Sequence, residues 1–411
     1  MPLSILSAAS HQFSSRVRCI IGEDTLSELA DIAESVQAVK AVLIISSTLL
    51  GKGWDRRIAE KVGIPTVTLL AIEDDPGRTS HEPTREDALS LTDRLMPYLK
   101  QENIIAIGLG GGSVMDLAKL CTIAAIMGDD ANTALSRAYR GDIPDRPFPL
   151  VLIPSTSGAG AEMTDVTVLS VPKERMKRSV HAPSLSASHA IIDPAVAVDV
   201  PKTVYISSGM DALVQAIESY SGRSGTPLSR ALAADAFRII MRYLPLGVKC
   251  GVNDASSDAR SQIHYAATMA GLAIANSGCG AAHGLANPIG GATKAAHGMI
   301  NGILLPHVIR ANAESTRPEK AIVRKRYAEL SGYLPKTLVD HTGKGDWLSL
   351  HGVILDLAKD LNIPQDLVVL GAREEDIGFF VSNCRTSSYR NNQVPLDDEE
   401  LTSVLKGCIN S

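Results

Sequence analysis

The sequence predicts an α/β N-terminal domain with a Rossmann-like, mainly parallel sheet, followed by an all-α C-terminal domain. Three observations carry that expectation. Between Val17 and about Asp193, short β-branched runs alternate with amphipathic segments, as they do when helices cover a parallel sheet. One of those runs passes through a glycine-rich turn straight into an apolar helix. Past Pro194 the β-branched runs become few and long helical periods take over. A chain of 411 residues can bury two such cores. The Asp193-Pro194 turn and Pro201 mark the expected boundary, giving domains 1–195 and 196–411.

In chain order, strands are expected at 17–21, 41–46, 66–70, 104–109 and 150–154, with helices between them; 24–35 and 84–100 have the clearest apolar faces. The strand at 104 runs into GLGGGSVMDLAK, 108–119. Glycines there permit positive φ and let backbone N–H groups face an anion, while the helix N-terminus adds partial positive charge, so Gly110, Gly111, Gly112 and Ser113 read as a pyrophosphate cradle. Such turns also occur for packing reasons. This one follows the fourth strand, where the usual dinucleotide fingerprint follows the first, so a variant fold is expected. A second loop, IPSTSGAGAEMTDVTVL at 153–169, offers Ser155, Thr156 and Ser157 as hydroxyl donors, or as a plain polar turn and cap. After it come expected strands at 164–170, 177–180 and 190–192, the first two pairing as a hairpin. Helices are expected at 208–220, 228–243, 258–275, 298–313, 318–330, 347–361 and 398–408.

Composition excludes several classes. With 45% hydrophobic and 21% charged residues and a net charge of −5, nothing basic points to nucleic acid. No run approaches the ~18 apolar residues that span a bilayer, and no membrane partner is expected. The segment MPLSILSAASHQFSSRVRC lacks a positive start followed by a long apolar core, so no signal peptide is read. Six cysteines without a C-x-x-C pair fit reduced thiols, and cytoplasm is the default location.

The stretch GCGAAHGLANPIGGATKAAHGMINGILLP, 278–306, carries His283 and His297 among small residues. Pro288 and Gly290-Gly291 are expected to interrupt the helix between them. Asp211, in GMDALVQAIESY, is expected at the first turn of its helix. One carboxylate and two imidazoles on separate helices suit a divalent metal such as Zn or Fe, or serve as ordinary packing and capping groups.

Taken together, GGGSVMD (110–116), IPSTSGAGAEMT (153–164), IIDP (191–194), MDAL (210–213), AAHGLANPIGG, AAHG and ILLPH up to His307 resemble the iron-containing, or group III, alcohol dehydrogenase family, with its dehydroquinate synthase-like fold. The resemblance covers essentially the whole chain. It implies a nucleotide-binding α/β domain, a helical metal and substrate domain, a nicotinamide cofactor (NAD or NADP), a divalent metal, Fe or Zn, and reversible hydride transfer between an alcohol and its carbonyl compound. It further implies that Ser46, Gly110, Gly111, Gly112, Ser113, Asp116, Ser155, Thr156, Thr164 and Lys177 contact the cofactor. Asp211, His283 and His297 fall on three of the family's four metal ligands, and the ion they hold would stabilise the developing alkoxide.

The chain departs from the family pattern at three places. Gln215 stands where a fourth ligand is a histidine; a carboxamide oxygen there can still coordinate. Asn287, one turn past His283, replaces a histidine near the nicotinamide; it can orient a substrate but cannot shuttle a proton. Ile45-Ser46-Ser47 lacks the carboxylate of NAD-preferring relatives, a lean towards NADP with Ser46, Ser47 and Thr48 as phosphate donors. Lys294, Arg385 and Arg390 lie in segments that line the substrate cleft of the resembled fold and would favour an anionic substrate, unless they are solvated surface charges. A metal-independent reductase of the maleylacetate reductase type, a dehydroquinate synthase-like lyase and an eroded nucleotide-binding protein are the alternatives. The expected partner is a small carbonyl compound or alcohol; a homodimer is left open.

Overall fold

The computed structural model describes residues 12–73, 82–145, 148–251, 258–293, 295–334 and 346–409. They form two compact units. One comprises Arg16–Tyr205 with Gly251–Thr268; the other comprises Met1–Ser15, Ile206–Cys250 and Met269–Ser411.

The first unit holds a six-stranded sheet in which every pair is parallel. Its strands are β1 (Arg18–Ile21), β2 (Lys40–Ile45), β3 (Thr66–Leu70), β4 (Ile104–Gly110), β5 (Leu150–Pro154) and, after the hairpin strands β6 (Val166–Val171) and β7 (Met176–His181), β8 (His189–Ile192). The order is β1-β8-β5-β4-β2-β3, with β6-β7 as a separate antiparallel ribbon. The expected strands and the expected hairpin are all present. Strands β4 and β5 are buried along their whole length, which explains why they read as unbroken apolar runs.

Between the strands lie α1 (Leu29–Ser35), α2 (Ser47–Gly51), α3 (Trp54–Val62), α4 (Arg85–Leu99), α5 (Gly112–Ile126) and α6 (Ala131–Tyr139). The expected helix at 24–35 divides: Thr25–Glu28 is a 3₁₀ turn that feeds α1. Helix α4 opens on a capping box, Thr84 Oγ1 accepting from the Asp87 N–H and Asp87 Oδ2 accepting from the Thr84 N–H.

The sheet order explains why the glycine turn follows the fourth strand. From β2 the chain steps outward to β3, then returns to the other side of β2 as β4, so the reversal lies at the carboxyl ends of β2 and β4. Ile45 and Leu109 are register partners there, and Gly110 is the partner of Pro154 on β5.

The turn itself differs from expectation. Gly110, Gly111 and Gly112 all avoid positive φ. Packing is what requires a glycine: a Cβ on Gly110 would stand 2.6 Å from the Val114 side chain. A Gly110→Ala protein should therefore lose ~1–3 kcal/mol through overpacking, which urea unfolding would measure.

The second unit is helical: most of α7 (Lys202–Ser221), then α8 (Pro227–Cys250), the end of α9 (Ala259–Ser277), α10 (Ala281–Thr293), α11 (His297–Glu314), α12 (Lys320–Ser331), α13 (Trp347–Asp360), α14 (Ile377–Asn383) and α15 (Asp398–Ile409). Two local expectations are corrected. Asp211 lies in the interior of α7, not in its first turn. Gly209, two residues before it, packs closely: a Cβ there would meet Leu244 of α8 at 2.5 Å. Helix α10 also runs through Pro288, Gly290 and Gly291 and ends at Thr293. Residues 281–290 are all buried, and that tertiary burial outweighs the helix-breaking tendency of proline and glycine.

Candidate metal and dinucleotide sites

In the helical unit, one face of α7 presents Asp211, Gln215 and Glu218 at helical spacing. Helix α10 contributes His283, and α11 begins at His297 and carries Asn301 one turn on. The ligand atoms of Asp211, His283 and His297 lie within 4.8 Å of one another. His283 Nε2 is 3.4 Å and His297 Nε2 3.8 Å from Asp211 Oδ1, with the two rings 5.3 Å apart at 65°. Asn301 Nδ2 donates to Asp211 Oδ1 at 2.9 Å, and Gln215 turns its amide nitrogen to Oδ2 at 3.5 Å.

Behind the triad stands Glu218. It accepts from His283 Nδ1 at 2.6 Å and from the backbone N–H groups of Gly280 and Ala282 at 2.7 Å each. A proton held on Nδ1 by that carboxylate leaves Nε2 as the lone pair facing Asp211 and His297, which is what a metal-binding imidazole requires.

The electrostatics agree. Burial would raise the Asp211 pKa, but the hydrogen bond from His283 and the neighbouring His297 outweigh it and hold the carboxyl at about 2. Burial opposes charge on His283, yet its acidic neighbours push its pKa well above the ordinary value. Among them Cys279 is itself pushed up by burial to about 12, so the carboxylates of Glu218 and Asp211 carry the effect. A site that draws a proton onto an imidazole fits a cation in its place. One carboxylate and two imidazoles in this arrangement fit a divalent Fe or Zn ion.

Asn287, one turn past His283, donates to Thr386 Oγ1 at 3.3 Å and Ser388 Oγ at 3.5 Å. Arg385 pairs with Asp398 Oδ1 at 2.6 Å and also donates to the Leu396 carbonyl, while Arg390 is exposed. Lys294 lies outside the described residues.

Sequence reasoning missed Glu218 and Asn301. The signal was present: Glu218 is two turns from Asp211 on the same face, and Asn301 one turn from His297.

In the sheet unit, Ser46 follows β2 and caps α2, accepting from the Leu49 N–H at 3.4 Å. The glycine turn ends β4, and Ser155 follows β5, its N–H donating to the Gly110 carbonyl at 2.8 Å. Ser46, Gly110, Gly111, Gly112, Ser113, Ser155 and Thr156 thus gather at the carboxyl ends of three adjacent strands. Val114 and Met115 donate their N–H groups to the Gly111 carbonyl, which leaves the N–H groups of Gly112 and Ser113 at the helix start, beside the Thr156 hydroxyl, as donors that fit a pyrophosphate.

Asp116, Thr164 and Lys177 make internal bonds. Fully buried Lys119 pairs with Asp116 Oδ1 at 3.1 Å and donates to Thr164 Oγ1 at 3.3 Å and to the carbonyls of Ala161 and Val166. Lys177 pairs with Glu82 at 2.8 Å.

His264, 1% exposed, shares a 2.9 Å hydrogen bond between its Nδ1 and Ser157 Oγ. Burial pushes its pKa down to about 4, with the Pro154 backbone opposing and Arg260 assisting. In the unfolded chain it would titrate near 6.5. Its contribution is therefore present above pH ~6.5 and lost as pH falls towards 4, at about 1.4 kcal/mol per pH unit. Urea unfolding at pH 7 and pH 5 should show that loss, and a His264→Asn protein should lose correspondingly less.

Residues 17–194 match the profile described as iron-containing alcohol dehydrogenase, and residues 205–409 match that of the C-terminal part of the same Fe-containing family. An alcohol dehydrogenase of Thermococcus barophilus is 32% identical over 78% of this chain and 79% of its own length. The NAD-dependent methanol dehydrogenase of Bacillus methanolicus is 29% identical over 89% of this chain and 90% of its own. Among solved structures, the iron-containing alcohol dehydrogenase of Thermococcus thioreducens superposes with a TM-score of 0.80 at 26% identity, covering 97% of this chain and 100% of that one.

Proposed function

Because the chain belongs to the iron-containing alcohol dehydrogenase family, and is thus an oxidoreductase acting on CH–OH groups, we propose that it interconverts a small neutral alcohol and its carbonyl compound with a nicotinamide dinucleotide and a divalent metal ion. The observation that supports this best is the convergence of Asp211, His283 and His297 from three helices, with Glu218 fixing the central imidazole.

A divalent ion bound there would supply Lewis acidity towards a carbonyl oxygen, since one anionic ligand leaves it a net charge of +1. The residues set that charge and hold it in place. Asp211 provides the anion; Asn301 fixes its carboxylate; Glu218 keeps the His283 proton on Nδ1. Asn287 binds hydroxyls by hydrogen bonds and cannot exchange a proton, so the alcohol proton must pass to water, a ribose hydroxyl of the dinucleotide or another residue. The similarity to an alcohol dehydrogenase and a methanol dehydrogenase supports a neutral substrate, and Arg385 already has a partner in Asp398.

On the sheet unit the α5 N-terminus would hold the pyrophosphate. The end of β2 offers Ser46, Ser47 and Thr48 with no carboxylate to repel a 2′-phosphate, so NADP is accepted alongside NAD.

The experiment is metal analysis of purified protein together with absorbance of the reduced nicotinamide, using NAD and NADP against a panel of small alcohols and aldehydes. One Fe or Zn per chain is expected, with turnover that chelation abolishes and the ion restores. Undiminished turnover after complete chelation would remove the metal from the proposal; no turnover with any member of the panel would remove the substrate class.

A further inference from the structure

Helix α9 carries two buried polar side chains one turn apart, and each holds a different part of the loop that follows β5. His264 bonds Ser157 through Nδ1 at 2.9 Å; Thr268 donates to Glu162 Oε1 at 2.9 Å. All four side chains are at least nine-tenths buried. Between those two anchors the loop lies on the glycine turn. The Thr156 hydroxyl would be 3.3 Å from a Cβ on Gly111, and the Ala159 methyl 3.0 Å from one on Gly112. The residues that present hydroxyls to the N-terminus of α5 are thus held from behind by a segment that follows them by about a hundred positions.

We propose that the first half of α9, up to Thr268, is a working part of the dinucleotide site, in which His264 and Thr268 are positioning residues that fasten the loop 155–164 onto the glycine turn. This inference rests on the dinucleotide reading given above. The physical argument is preorganisation. Loop residues cost conformational entropy when they are ordered, and a loop already tied at Ser157 and Glu162 has lost that freedom before the ligand arrives. The fold is consistent with it: α9 up to Thr268 lies among the helices in sequence, yet belongs to the sheet unit.

The test compares His264→Leu, Ser157→Ala and the double variant by titrating each protein with NADH and following nicotinamide fluorescence. Each single change is expected to raise Kd roughly tenfold, the worth of one such bond. The double variant should be no weaker than the worse single one, because both remove the same bond. His264→Asn, which keeps a hydrogen-bonding atom near Nδ1, should recover most of the loss, and KM for the dinucleotide should move more than kcat. If His264→Leu fails to fold, Ser157→Ala removes the same bond by itself and Thr268→Val removes the second tie, and each is expected to raise Kd. Unchanged Kd in the single variants, or a double variant weakened by the product of the two, would overturn the proposal. Should the unsubstituted protein bind no NADH, the dinucleotide reading fails, and hydrogen exchange decides the clamp alone: faster exchange at 155–164 in His264→Leu supports it, and unchanged exchange refutes it.

Discussion

An Asp211→Ala protein is expected to purify without its metal ion and to show kcat/KM lowered by at least ~10³-fold, the loss seen when a preorganised electrostatic stabiliser is removed. The size follows from what Asp211 does in the fold. Among the described residues it is the one anion within reach of both His283 Nε2 and His297 Nε2, and its neighbours hold it ionised down to about pH 2. Without it two imidazoles remain on separate helices, and two neutral ligands hold Fe or Zn far more weakly than three with a charge. Asp211→Asn separates charge from shape: it keeps the bulk and should still lose the ion. Elemental analysis and steady-state kinetics on the same samples would check both. Metal retained at full stoichiometry in Asp211→Ala would place the ion elsewhere.

Replacing Glu218 is expected to cost the fold as well as the ion. Its two oxygens accept three buried hydrogen bonds, from His283 Nδ1 and from two backbone N–H groups at the start of α10. Glu218→Ala leaves all three donors without that acceptor, a loss of ~3–5 kcal/mol by the scale of broken buried charged pairs. Glu218→Gln keeps the volume and one acceptor oxygen, so it should fold. With the Nδ1 proton no longer held by a carboxylate, metal affinity should fall by about 10- to 100-fold, as for other partners that orient a ligating histidine. Thermal unfolding of the metal-free protein separates the two effects, because the stability loss must persist without metal and the affinity loss cannot. Equal metal affinity in Glu218→Gln and the unsubstituted protein would show that Glu218 is only structural.

Much of this architecture was legible before any coordinates. The parallel strands announced themselves because burial on both faces demands unbroken apolar runs, and the glycine turn was visible as a strand running straight into a helix, although its glycines serve close packing and not the positive φ expected of them. Asp211, His283 and His297 could be picked out since few residue types bind a divalent ion. Less legible were the residues whose role depends on what lies across from them. Glu218 is an ordinary helical acid until α10 delivers two backbone N–H groups and an imidazole to it, and Arg385 is a free cation until Asp398 meets it. Pro288 misled for the same reason: burial in the bundle holds α10 together through its proline.

By itself, then, the sequence determined the class of each half, the sheet's strands and the residue types able to hold an ion and a phosphate, because periodicity and side-chain chemistry are local properties. Only the tertiary structure decided the strand order that sets Ser46, Gly110 and Ser155 side by side, the carboxylate that fixes the His283 tautomer, and the helix segment that grips the loop after β5. Those depend on which distant surfaces exclude water together, and burial couples residues a hundred positions apart as strongly as neighbours.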